Sequence, residues 1–172
     1  MRIDADDFEL FDLPRRYALD RRDVDERWRA LQAEVHPDRF ASEGGAAQRV
    51  AMQWAVRVNE AHRRLKDPVA RAVELCRLAG VDIDVHDNAA MPREFLLQQM
   101  QWREALAEAQ RPDEVLALET AVQARQRLLE QQLVTELDEQ GDATAAAQTV
   151  RALMFVTRFR ADVDKRLEAL EA

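Results

Sequence analysis

Apolar residues recur along most of this chain at the three- and four-residue spacing of an amphipathic helix. The first clear case, from about residue 20 to residue 35, is formed by Val24, Trp28, Leu31 and Val35. At about 100° per residue these positions fall on one narrow stripe, which predicts a helix that packs on one side. Asp20 or Asp23 can cap its start. Pro37 biases His36 away from helical backbone, so the helix is predicted to end there.

A second long helix is predicted after the glycine-containing loop, and it runs to about Lys66. Its apolar stripe consists of Ala51, Trp54, Ala55, Val58, Ala61, His62 and Leu65. Two antiparallel helices with such stripes can bury a small core between them. The sequence KDP that follows interrupts this helix, and a shorter helix is predicted to reach about Leu78.

The helical pattern breaks at Gly80, where acids alternate with apolar residues in the stretch AGVDIDVHDNAA. We interpret residues 79–91 as a linker between an N-terminal domain, 1–78, and a C-terminal domain, 92–172. Three helices are predicted in the second domain, approximately 92–110, 112–139 and 142–171. Pro112 suits a first helical turn and Gly141 suits a helix end. The short connections indicate a compact three-helix bundle.

Composition supports an all-α protein, since the 172 residues include only four glycines and five prolines, and 47% are apolar. The formal net charge of -8 argues against nucleic acid or an anionic membrane as the main partner. No apolar run approaches the roughly 18 residues that span a bilayer, and the acidic N-terminus lacks a signal-peptide pattern. We therefore expect a cytoplasmic protein. A single cysteine, Cys76, excludes an intramolecular disulfide and a thiolate cluster for zinc or iron–sulfur ligation, so the chain is not expected to hold a cluster itself.

The tripeptide His36-Pro37-Asp38 lies between the first two long helices. It can be read as a helix stop with an exposed histidine, or as part of a catalytic site. The catalytic interpretation needs a third group and a pocket. The polar groups available for that role are Ser42, His62 and His86, and the sequence contains no glycine-rich turn to present a nucleophile. His62 falls on the apolar stripe, where a packed histidine is expected.

The same tripeptide, preceded by the striped helix and followed by an antiparallel helix that ends in VNEAHRRLKDP, resembles the J-domain of DnaK-class co-chaperones. In that family this loop docks on an ATP-bound chaperone and promotes hydrolysis there. The resemblance implies that His36, Pro37 and Asp38 are chaperone contacts. In J-domains, basic residues on the helix face usually help to bind the chaperone. The candidates for this role here are Arg22, Arg27, Arg29 and Arg39. Glu34 stands where J-domains commonly carry lysine, which suggests a specialised partner.

The resemblance extends beyond the J-domain to nearly the whole chain. The segments DFELFDLPRRYALD, REFLLQQMQWREALAEA and TVRALMFVTRFRADVDKRLEAL resemble the HscB family, the J-proteins of iron–sulfur cluster assembly. The resemblance implies an L-shaped adaptor without enzymatic activity of its own. Its implied partners are the chaperone HscA and the cluster scaffold IscU.

A docking face is also indicated by helical spacing in the second domain. Phe95, Trp102 and Leu106 form a core stripe, whereas Leu96, Leu97 and Met100 lie roughly 100° to 200° away from it. On the last helix Phe155 lies outside the core arc, which is formed by Val150, Leu153, Val163, Leu167 and Leu170. A wide apolar arc is also what a three-helix bundle requires, so periodicity leaves both interpretations open.

In the HscB family the corresponding positions grip the scaffold. The residues implied here are Leu96, Leu97, Met100, Gln101, Glu104, Glu108 and Phe155. Gln101 stands where the family often has an acid, which reduces the charge at the rim of the face. Met100 stands where the family often has leucine, so the apolar anchor is kept.

Three other functions are compatible with parts of this pattern. The chain can serve a general DnaK chaperone with a different client. A hydrolase built on His36 and Asp38 predicts turnover by the isolated protein and a deep pocket at that loop. A structural helical protein without a partner predicts that Leu96 and Phe155 are buried.

Overall fold

The computed structural model describes residue 2 and residues 4–84 and 91–172 of the chain, and His86 and the rest of residues 85–90 in the predicted linker lie outside these residues. In this part of the chain the secondary structure is helical and no strand occurs, which confirms the predicted all-α class. The chain divides into two compact units, Met1–Leu75 and Cys76–Ala172. The division falls within a helix, and the domain bounds 1–78, 79–91 and 92–172 stay a prediction.

The first unit is built around a helical hairpin. The helices are α1 (Asp7–Leu10), α2 (Arg21–Val35), a 3₁₀ turn (Pro37–Phe40), α3 (Gly45–Lys66) and the first part of α4 (Pro68–Leu78). Asp20 caps α2, as predicted, by accepting a hydrogen bond from the backbone N–H of Arg22 at 2.8 Å. His36 has ψ of 127°, so the predicted stop before Pro37 is confirmed.

The core of the first unit contains the predicted stripes of α2 and α3. Val24, Val35, Val58 and Leu65 are buried, and Trp28 and Leu31 are half-buried. The N-terminal segment contributes three further buried aromatic residues, Phe8, Phe11 and Tyr17. Helical periodicity did not indicate these, because α1 has only four residues and both Phe11 and Tyr17 lie outside it.

The second unit contains the end of α4 and the three predicted helices. Their observed bounds are α5 (Arg93–Glu108), α6 (Pro112–Leu133) and α7 (Ala143–Glu171). Pro112 lies in the first turn of α6, as predicted. The predicted helix 112–139 ends differently, since Val134–Glu139 forms a π-helical segment. Gly141 then takes a left-handed conformation with φ of 63°, and Asp142 caps α7.

The core of the second unit lies mainly between α6 and α7, with α5 packed beside them. Fully buried side chains from the two long helices include Val115, Val122, Leu133, Val150, Leu153, Val156 and Val163. Leu106, Leu167 and Leu170, which were predicted as core positions, are only half-buried at the margins. None of the described helices is both long and apolar enough to cross a membrane.

Candidate partner-binding sites

The loop after α2 exposes its polar side chains. The side chains of His36 and Asp38 are 54% and 91% exposed, and His36 Nδ1 lies 3.6 Å from Asp38 Oδ2. The backbone N–H of Asp38 donates to His36 Nδ1 at 3.3 Å. In the neutral ring the proton therefore lies on Nε2. Pro37 fixes the first turn of the 3₁₀ helix, so the loop presents its two polar groups from a restricted backbone.

The predicted basic residues around this loop are all exposed, but two of them have partners within the chain. Arg39 Nη1 donates to the carbonyl of Ala33 at 2.8 Å, and this satisfies one of the free carbonyls at the end of α2. Arg27 lies 3.3 Å from Asp12. Arg22 and Arg29 are exposed on α2. Arg39 therefore also shapes the loop that it was predicted to help dock.

A polar cluster joins α2 to α3 along the hairpin. The ring of His62 stacks on Trp28 with centroids 4.4 Å apart, and His62 Nε2 lies 2.8 Å from Asp25 Oδ1. This hydrogen bond, with Lys66 at 3.1 Å, lowers the pKa of Asp25. Asn59 Oδ1 accepts hydrogen bonds from Trp28 Nε1, at 2.9 Å, and from Gln32. The expectation that His62 is packed is confirmed, since its ring stacks on Trp28 between the two helices.

The predicted scaffold face on α5 is open to solvent. Leu96, Leu97 and Met100 are 47%, 48% and 67% exposed. The polar residues of the same predicted face, Gln101, Glu104 and Glu108, are also exposed. These six positions fall within an arc of about 140° on the helix. The opposite side of α5 is anchored by Phe95 and Trp102, which are buried as predicted.

Phe155 is half-buried rather than fully exposed. Its ring packs edge-on against Phe95 at 5.6 Å and stacks on Phe159 at 5.9 Å. The guanidinium of Arg103, one turn beyond Met100, lies 5.6 Å from the centre of the same ring. Phe155 therefore joins α7 to the flank of α5, so it has a packing role that the prediction did not include. Sequence reasoning also missed Arg103, whose contact with α7 has no local signal.

A metal site is not indicated by the side chains that the structure describes, since no three histidine, cysteine or acidic residues are placed there so that they could hold a metal ion. Cys76 is buried, and its Sγ lies 3.8 Å from the carbonyl of Ala143. Burial, and then the negative charge of Glu136, raise the pKa of the thiol to about 11. A thiol in this state is a poor metal ligand, because the thiolate is the form that binds metals.

Comparison with known proteins matches both units. A family model described as the HSCB C-terminal oligomerisation domain matches residues 91–164. A co-chaperone protein HscB homolog of Azoarcus sp. is 45% identical over 98% of this chain and 97% of its own length. One from Bordetella pertussis is 50% identical over 90% of this chain and 92% of its own length.

Among solved structures, chaperone HscB from Vibrio cholerae has 34% sequence identity and a TM-score of 0.84. The match covers 96% of this chain and 99% of that one. The HPD loop, the helical tail and the sequence identity along almost the whole length all indicate the same family. The chain belongs to the HscB family, the co-chaperones of iron–sulfur cluster assembly.

Proposed function

We propose that this protein is a cytoplasmic adaptor that binds an IscU-type scaffold and delivers it to an HscA-type chaperone, whose ATPase it stimulates. The first unit engages the chaperone through the HPD loop (His36, Pro37 and Asp38). The second unit engages the scaffold through the α5 face, defined as Leu96, Leu97, Met100, Gln101, Glu104 and Glu108, with Phe155 at its flank. The adaptor catalyses no reaction itself and needs no bound cofactor.

The chaperone contact is supported by the exposure and the charge of the first unit. His36 and Asp38 expose polar groups from a loop that Pro37 restricts, so little conformational freedom is lost on docking. Arg22, Arg27 and Arg29 are exposed on α2 and provide positive charge for an acidic surface. Such charges mainly accelerate the encounter and set its orientation. Arg39 contributes by holding the loop to the end of α2.

The scaffold contact rests on one observation, the exposure of neighbouring large apolar side chains on α5. Leu96, Leu97 and Met100 are about half exposed or more, although the core of the same helix is well filled. An apolar patch with a polar rim is typical of a protein-binding surface, and Glu104 and Glu108 provide that rim. A purely structural protein would bury Leu96. The exposed fraction of 47% therefore favours an adaptor.

The chaperone contact is tested by steady-state ATP hydrolysis of the cognate HscA-type chaperone with scaffold present. We expect strong stimulation by the protein and a loss of about tenfold or more with His36→Gln, because one exposed docking group is removed while the fold is kept. Ser42→Ala, on the same exposed loop, is the matched control and should stimulate normally. It also tests the hydrolase alternative, in which this hydroxyl is a candidate nucleophile.

Equal stimulation by the parent protein and His36→Gln would reject the HPD loop as the chaperone contact. ATP-independent hydrolysis of any ester or peptide by the isolated protein, lost in both variants, would favour the hydrolase instead.

The scaffold contact is tested by titrating the scaffold into the protein in a calorimeter. Replacing Leu96 and Met100 together by alanine should raise Kd by about 10- to 100-fold, since exposed apolar anchors at the centre of an interface carry most of the binding free energy. The matched control replaces Leu116 and Leu128 by alanine. These are also 45% and 57% exposed but lie on α6. Scaffold binding that neither pair affects, or no binding at all, would favour a general J-protein with a different client.

A further inference from the structure

A cleft of about 270 Å³ lies within the second unit, and none of its lining residues belongs to the α5 face. It is formed by the start of α5, the end of α6 with the following π segment, and the first half of α7. Its apolar lining includes Phe95, Leu129 and Ala152, and its charged lining consists of Glu94, Arg125 and Glu136. The cleft therefore combines an apolar wall with a small number of charged groups, as ligand sites commonly do.

Glu136 is the unusual member of this lining, because it is a carboxylate with only 8% of its surface exposed. Its Oε1 accepts two hydrogen bonds, from Gln132 Nε2 at 2.8 Å and from Thr149 Oγ1 at 3.0 Å. Its Oε2 is buried and has no hydrogen-bond partner among the described residues. A buried charged oxygen without a partner is costly, so a native structure that retains one requires an explanation.

The backbone around Glu136 also departs from regular helix. The residue lies in the π-helical segment Val134–Glu139, which replaces the last turns of the predicted helix. Segments of this kind are rare and occur frequently at functional sites. On α6, Arg125 Nε is likewise buried and has no hydrogen-bond acceptor in the part of the chain that the structure describes. The lining thus offers one unsatisfied carboxylate oxygen and one unsatisfied N–H.

We propose that this cleft binds a primary ammonium group carried on a short apolar stem. The ammonium donates to Glu136 Oε2, the stem packs against Phe95, Leu129 and Ala152, and an acceptor oxygen on the ligand takes the N–H of Arg125. The two carboxylates of the lining outweigh its one guanidinium, which favours a cation. A divalent metal ion is not the expected occupant, since the described residues group too few ligands to hold one.

The test uses the full-length ¹⁵N-labelled protein titrated with n-butylammonium, followed by amide chemical shifts. We expect saturable shifts at the lining residues with Kd of roughly millimolar order, as suits so small a ligand. Glu136→Gln keeps the shape of the side chain and removes its charge, and it should raise Kd about tenfold or more. Glu139→Gln, an exposed carboxylate on the same π segment, is the matched control and should bind as the parent does. Neutral 1-butanol should bind more weakly than n-butylammonium.

Two further measurements address the source of the ligand and the existence of the site. N-acetyl-lysine methylamide carries the same ammonium with a carbonyl acceptor. Binding at least as tight as that of n-butylammonium indicates the side chain of a basic protein residue, whereas its exclusion indicates a free amine. Ala145→Leu narrows the cleft without changing any charged group and should block both probes, which keeps the test decisive if Glu136→Gln alters folding. Shifts that do not saturate, or that are the same in both cleft variants and the parent, would reject the site.

Discussion

Asp7 is almost completely buried in the first unit, with 2% of its surface exposed. Arg57 Nη1 donates to its Oδ1 at 2.7 Å, and Arg64 donates to both oxygens at 2.7 and 2.9 Å. Burial alone would raise the pKa of this carboxyl, but the hydrogen bonds from Arg64 and Arg57 lower it further than burial raises it. The carboxylate is therefore charged and fully paired, and it fixes the N-terminal segment to α3.

Replacing Asp7 by asparagine should destabilise the first unit by about 3 kcal/mol, because two arginines at the edge of the core then lack their anionic partner. The measurement is urea denaturation at pH 7. Asp4→Asn is the control, since Asp4 pairs with Arg2 in a bridge whose side chains are 68% and 77% exposed. That change should leave the free energy of unfolding close to that of the parent, because a fully exposed ion pair contributes little. If Asp7→Asn has the same free energy of unfolding as the parent, this role for Asp7 is rejected.

The stabilisation that the Asp7 carboxylate provides depends on pH in a defined direction. The folded-state pKa of Asp7 lies below its ordinary value of 3.8, so the stabilisation is fully present above that value. It is lost as the pH falls through the lower, folded-state pKa. The stability difference between the parent and Asp7→Asn should therefore shrink in acid below about pH 4 and stay constant above it. A difference that grows on acidification would contradict the assignment.

The residues of the sites differ in how far sequence could indicate them. His36, Pro37 and Asp38 are adjacent in the chain, so a short pattern is sufficient to find them. The hydrogen bonds that support the hairpin join residues 31 and 37 positions apart, as in Trp28 with Asn59 and Asp25 with His62. Asp7 reaches Arg57 and Arg64 over 50 and 57 positions. Helical periodicity carries no information about pairings of this length.

At the scale of the helices, ends were predicted better than irregular segments. Asp20, Pro37, Pro112 and Gly141 each act through local backbone chemistry, and each lies at the helix end that it was predicted to form. The π segment after α6 was missed, because a wider helical turn has no residue signature of its own. The same is true of Phe155, whose half-buried position depends on how α5 and α7 pack.

Gly141 gives an element-scale prediction, since its φ of 63° is accessible to glycine and strained for other residues. Gly141→Ala should lower the free energy of unfolding of the second unit by about 1 kcal/mol, although a Cβ at this position would meet no atom within 4 Å. Gly45→Ala is the matched control. Gly45 lies in the first turn of α3 without a positive φ, so alanine should be neutral or slightly stabilising there. Thermal unfolding followed by circular dichroism compares the two.

At the scale of the whole chain, the fold class and the family follow from sequence because the relevant motifs occur in both units. The HPD loop belongs to the first unit and the helical tail to the second, and relatives match almost the full length. The domain bounds are less determined by sequence. Helix α4 continues through the division between Leu75 and Cys76, so no change of composition or secondary structure marks it.

Carrying both proposed sites on one chain has a consequence that can be tested with intact protein. In the proposed adaptor, a scaffold bound to the α5 face is delivered to the chaperone at an effective concentration set by the connecting chain, which is of millimolar order for short connections. We expect that His36→Gln and the Leu96→Ala plus Met100→Ala variant cannot complement each other when they are mixed at micromolar concentration. In the mixture each chain retains one working site, so the scaffold-dependent ATPase stimulation should stay near that of the variants alone. Recovery of half or more of the parent activity would show that scaffold and chaperone are brought together across two chains.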